Sequence, residues 1–282
     1  VAHYLAGRFE EALALLTKHR RRDPPVTLPA WIRATLAAGQ AREREGGEPS
    51  DAYLQAQAAC VELGDRPLEA EVIVAWSLSE MKRGKDPEER LSRALEQSSD
   101  ASRGDALLAR ARFRAARGRL APSSAPEFQE AIDAYANVPG GSGCLRRAEA
   151  YRARWDHEEA FGRAKVADLD KAEQECRKAL EFNPGYVDAE IGLAQTVRLK
   201  RAASSPEDTV RALEEEIASL SRILEAHPRS TQAWRARAQA RAVLGFAKKG
   251  FGGDARRDYG EAISDLDRAL EIDPRDGEAS RA

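Results

Sequence analysis

The chain has little of what folds outside the all-α class require. Long apolar runs are missing: "AEVIVAW" (Ala70 to Trp76) is among the longest stretches, far short of the roughly 20 residues a membrane-spanning helix needs. Runs of alternating β-branched residues are missing too, so no strand signal competes with helix. Aromatic residues make up only 6% of the sequence against 33% charged residues. With Ala, Arg, Glu and Leu throughout, that balance describes a helix-rich soluble protein. Cysteine is scarce: Cys60, Cys144 and Cys176 are odd in number, far apart and set among helical apolar positions. This pattern suits reduced core thiols in a cytosolic protein rather than a disulfide framework. His3, His19, His157 and His227 are scattered, with no metal-ligand spacing, so neither a metal nor a cofactor is expected.

What is present is a helix written several times. In "DYGEAISDLDRALEIDP", Ala262, Leu266 and Ala269 fall at i, i+4 and i+7, one stripe of an α-helix, and Pro274 ends it. Ala172, Cys176, Ala179 and Pro184 repeat that spacing; Leu220, Ile223 and Pro228 give a third copy, and Phe9, Ala12, Leu16 and Pro24 a fourth. One helix cannot bury its own apolar face. The chain supplies a partner before each copy, Ala- and Arg-rich: "DALLARARFRAARGR", "CLRRAEAYRARW", "AEIGLAQTVRLKR" and "AWRARAQARAVLG". With "EFQEAIDAYANVP" and "DPEERLSRALEQ" added, the reading is a single array of about six and a half helix pairs. Its units are approximately 1–26 (partial), 27–66, 67–102, 103–142, 143–186, 187–230 and 231–276.

These residues resemble the tetratricopeptide repeat: a Trp or other apolar residue early in helix A, a small residue in mid-helix, then Ala, a bulky apolar residue, Ala and Pro in helix B. The resemblance implies an all-α fold, a right-handed superhelical solenoid of stacked antiparallel helix pairs. One departure is the period. Pro184, Pro228 and Pro274 are 44 and 46 residues apart, against about 34 in the family. The surplus falls between helices A and B, which predicts elongated repeats. Ser205 reads as an N-cap with Pro206 as the first helical residue, starting one helix B early, and "GFAKKGFGGDAR" reads as a glycine-rich loop. That loop lacks the order of a phosphate-binding loop and follows no strand. Without a nucleophile, base and orienter in a recognisable arrangement, no catalytic residue is expected.

The charges divide by helix. Helix A segments 103–120, 143–157, 187–203 and 231–249 carry +5, +2, +1 and +5; helix B segments 125–139, 166–183, 206–227 and 254–273 carry −3, −2, −4 and −4. In the family that the chain resembles, A helices line the concave groove, which implies a basic groove here. The residues expected on it are Arg112, Arg146, Arg152, Gln195, Arg235 and Gln239, with Trp31 near the other end. Arginine forks suit carboxylate or phosphate, so an acidic or phosphorylated peptide is the expected occupant. The plainer alternative is that Arg on helix A pairs with Glu on helix B within each unit. Arg110, Arg114 and Arg117 share a helical face that nucleic acid could use, but a net charge of −2 and few aromatics for stacking argue against it.

The functional expectation is a protein-protein interaction scaffold. "EAISDLDRALEIDPRD" looks like the arrays that follow serine/threonine kinase domains in some bacteria, and the chain starts at Val1 inside a structural unit. Both features suggest a cytoplasmic recruitment arm of a larger bacterial signalling protein, one that membrane anchoring elsewhere would not contradict. A purely structural or self-association arm is the alternative; an α/α-barrel enzyme domain would need inward carboxylates that the Arg-rich A helices oppose.

Overall fold

The computed structural model describes residues 24–44, 47–98, 100–116, 125–204 and 208–273, with Ala14 and Thr17 as isolated positions. The described residues form twelve helices and no strand. The opening segment "YLAGRFEEALALL" apart from Ala14, and Ser205 and Pro206, lie outside them. Two compact units divide the chain, 1–120 and 121–282.

The first unit holds α1 (Pro24–Arg44), α2 (Ser50–Leu63), α3 (Arg66–Lys82), α4 (Glu88–Gln97) and α5 (Asp100–Ala116). Each helix packs on its sequence neighbours, and α3 also touches α5. Two apolar clusters result. Leu28, Trp31 and Ile32 of α1 meet Ala56, Ala59 and Cys60 of α2 and Leu68 and Val72 of α3; Ile73 and Val74 of α3 meet Leu91 and Ala94 of α4 and Ala106 and Ala109 of α5. Each cluster therefore draws on three consecutive helices, so a face left bare by one pair is covered by the next, as repeat architecture requires. The start of α3 is fixed locally: Asp65 accepts a hydrogen bond from the Leu68 N–H at 3.0 Å, and Pro67 stands in the first turn, where its missing donor costs nothing.

The second unit holds α6 (Ala125–Ala136), α7 (Gly140–Glu159), α8 (Val166–Phe182), α9 (Val187–Ser204), α10 (Thr209–Ala226), α11 (Thr231–Gly250) and α12 (Arg256–Ile272). The repeated stripe is its core. Ala172, Cys176, Ala179, Leu220 and Ala269 are fully buried, and Ile223 and Ala262 nearly so. Small residues at these points let α7, α8 and α9 approach closely around Cys144, Ala148 and Ala189. Counting back from the closing proline, the place of Ala172 and Ala262 in α10 is taken by Glu216, 6% exposed and paired with Arg198 of α9 at 2.9 Å.

Ion pairs link the members of the α7–α8 and α11–α12 pairs and run in opposite order along them, as antiparallel packing demands. Arg147 and Arg154 of α7 meet Glu175 and Asp168 of α8; Arg237, Arg241 and Lys248 of α11 meet Asp265, Glu261 and Asp258 of α12. Much of the basic charge on these A helices is thus neutralised inside the pair.

The reading of "GFAKKGFGGDAR" as a loop is corrected. The α11 helix continues to Gly250, and only Phe251–Ala255 form the connection. Gly245 lies within the helix, where a Cβ would stand 3.1 Å from the Tyr259 ring: absence of a side chain serves close packing of α11 on α12, not a turn.

Candidate docking cleft

Three A helices of the second unit, α7, α9 and α11, lie side by side, α9 touching both others. With α12 they enclose a cleft of about 1060 Å³. Arg152 comes from the middle of α7, Gln195 from α9, and Arg235 and Gln239 from α11 one helical turn apart. Four of the seven residues expected on a groove therefore line one cleft. Apolar walls are supplied by Leu145, Ile191, Tyr259, Ile263 and Leu266.

Gly192 is the floor between α7 and α9. A Cβ at this position would lie 3.3 Å from the Cys176 sulfur and 3.7 Å from Arg152 Nη2. The bare backbone leaves room for the Arg152 guanidinium, whose Nη1 donates to Gln195 Oε1 at 2.6 Å. That bond holds the arginine across the gap between two repeats. Its field also reaches inward: Arg152 lowers the pKa of both Cys176 and Glu216, opposing the burial that raises them. The Arg154 side chain, two residues on, points the other way and is gripped by Asp168 at 2.5 Å.

The other expected residues lie elsewhere. Trp31 is 4% exposed and belongs to the apolar core of the first unit, its indole N–H donating to Thr17 Oγ1 at 2.9 Å; no ligand reaches it there. Bulk at the start of a helix A is as useful to a core as to a groove, and α1 spends it on the core. Arg112 is exposed on α5 of the first unit. Arg146 sits over the Tyr135 ring at 6.0 Å and is not among the cleft residues. Of the arginine face on α5, Arg114 is paired with Glu88 and Arg117 lies outside the described residues.

Charge counting by helix misses Glu149 and Asp188, which also line the cleft. Net charge per helix hides an acid among arginines; the helical position of each acid relative to Arg152 and Gln195 would have exposed both. Burial alone pushes the Asp188 carboxyl above the ordinary range. The three cysteines are free and buried, with burial pushing Cys60 to about 12 and Cys176 to about 11. Among the described residues no group of His, Cys, Asp and Glu is arranged to hold a metal ion, and no helix is long and apolar enough to cross a membrane.

No protein-family model matches the sequence, and no curated protein does. Some solved structures match the chain over much of its length. The human IFIT1 dimer with m7Gppp-AAAA is 14% identical over 94% of this chain and 68% of that one, TM-score 0.45. The C-terminal part of a TPR repeat-containing protein from Cytophaga hutchinsonii is 11% identical over 99% and 95%, TM-score 0.38. YrrB, described as a TPR protein with an unusual peptide-binding site, is 15% identical over 77% and 91%, TM-score 0.33. At these identities and TM-scores the likenesses carry no argument about this chain.

Proposed function

We propose that this chain is a docking region for protein partners, and that the cleft of α7, α9, α11 and α12 receives a peptide segment bearing acidic or phosphorylated side chains. The observation that carries this reading is the convergence of Arg152, Gln195, Arg235 and Gln239, from three successive repeats, on one cleft. Two guanidinium groups and two amides offer planar, multiple donors of the kind that carboxylates and phosphates accept. Apolar walls from Ile191 and Tyr259 supply the desolvated surroundings in which such bonds strengthen.

The wider reading is a recruitment arm of a bacterial signalling protein in the cytoplasm, one that carries a serine/threonine kinase upstream. Its support is the resemblance of the "EAISDLDRALEIDPRD" ending and the three unpaired, buried thiols. The coding sequence upstream of Val1 tests it: a glycine-rich loop, strand lysine and catalytic-loop Asp support the kinase, and any other effector domain removes it.

The docking test uses fluorescein-labelled peptides carrying Glu or phosphoserine in anisotropy titrations. Arg235→Glu, which introduces repulsion at the cleft, is expected to weaken binding at least ~10-fold while helical circular dichroism and melting stay near the parent's. Unchanged affinity would sink the proposal.

A further inference from the structure

The cleft that serves the docking reading contains a feature that an acidic ligand does not explain. Asp188, on the first turn of α9, faces the same space as Arg152 and Arg235, is partly buried, and has no hydrogen bond or ion pair among the described residues. Its isolation contrasts with the buried acids of this unit. The buried acids Asp168, Glu175, Glu216 and Asp265 are each gripped by arginine. A carboxylate in the first turn answers the helix dipole, but Glu190 occupies that turn too and lies outside this cleft. Desolvating a second acid without a cation opposite is a cost that packing does not repay.

The apolar part of the surface extends beyond the cleft. Along α11, Arg235, Gln239, Ala242 and Phe246 recur at i, i+4, i+7 and i+11, a stripe leading from the charged end to Phe246, 75% exposed, with Val243 beside it at 40%. On α12, Tyr259, Ile263 and Leu266 form the facing stripe, Ile263 being 60% exposed.

Resting on the docking reading, we infer that the occupant is an amphipathic peptide segment carrying charges of both signs: an acidic or phosphorylated side chain at Arg152 and Arg235, a lysine or arginine at Asp188, and an apolar face against Ile263 and the Val243–Phe246 stripe. The cleft then selects by charge order as well as by charge. A purely acidic segment leaves Asp188 unpaired beside it and gains only the arginine half of the site, whereas a purely basic one meets Arg152 and Arg235 head-on. Nucleic acid brings a dense row of phosphates and no cationic group for Asp188.

Fluorescence anisotropy with fluorescein-labelled 14-residue peptides tests this. All share one apolar face at i, i+3, i+4 and i+7; the polar positions carry Glu alone, Lys alone, or Glu in one half and Lys in the other, in both orders. One mixed peptide is expected to bind the parent chain about tenfold tighter than the Glu peptide, in keeping with one added charge-assisted hydrogen bond. Asp188→Asn should erase that advantage and leave the Glu peptide no weaker; Arg235→Gln should weaken both. Equal binding of the Glu and mixed peptides, or an advantage that survives Asp188→Asn, overturns the mixed-charge assignment and leaves docking of acidic segments standing. If no peptide binds, and phosphoserine peptides do not either, the docking reading falls and this inference with it.

Discussion

Arg237 of α11 holds Asp265 of α12 with two parallel hydrogen bonds, Nε to Oδ2 at 2.9 Å and Nη2 to Oδ1 at 2.7 Å, and Arg241 adds a third at 2.6 Å. The same separation, 28 residues, joins Arg147 to Glu175 in an earlier pair. Asp265 is 2% exposed, so its charge is tolerable only because two guanidinium groups surround it.

Removing that acid should be costly. Asp265→Ala leaves Arg237 and Arg241 facing each other with little solvent, and is expected to destabilise the chain by about 3 kcal/mol or more. Arg257→Ala, which breaks an exposed pair with Glu261 that solvent screens, should cost far less. Urea melts followed by circular dichroism compare the two; equal losses would show that the α11–α12 pairing does not depend on burial.

Glu216 allows a sharper test, because it stands where the repeat elsewhere has alanine. Glu216→Ala strands Arg198 and should destabilise, whereas adding Arg198→Leu should recover most of the loss, the buried pair being replaced by apolar contact. The pH dependence has a sign. Burial raises the Glu216 pKa, so its stabilising share is fully present below the usual carboxylate range and is lost as pH rises through the raised value. The double variant should therefore gain on the parent between pH 4 and pH 7. Melting temperatures at the two pH values decide it, and a double variant that falls further behind the parent as pH rises would contradict the burial argument.

Much of the fold was readable before the structure, because a stripe of Ala, Cys and Leu repeated before a proline has one use in helices. The identity of Gly245 was not readable: a glycine beside lysines and more glycines signals a turn, and only the Tyr259 ring opposite explains a helical one. Arginine abundance on the A helices was readable, but its division was not. Arg147 and Arg154 face α8, Arg152 faces the cleft, and single-helix counting cannot separate neighbours that point in opposite directions. Trp31 failed as a groove residue for the same reason, since an apolar side chain suits either side of a helix.

The thiols give the simplest check on burial. Cys60, Cys144 and Cys176 are at most 3% exposed, and burial raises the pKa of each, so both access and thiolate are suppressed. Ellman's reagent should titrate none of them in the native chain at pH 8 and all three after unfolding in urea. A thiol that reacts without urea would place local opening at its helix pair.

The bond from Arg152 to Gln195 crosses from one repeat to the next, while Arg235 and Gln239 extend the cleft into a third. A surface composed of one helix per repeat has a width set by the rotation between repeats, so the cleft measures how the stack is sprung. Whatever bridges α7 and α11 there stiffens the stack as a clip does a coil, and any strain that unwinds the coil loosens the clip.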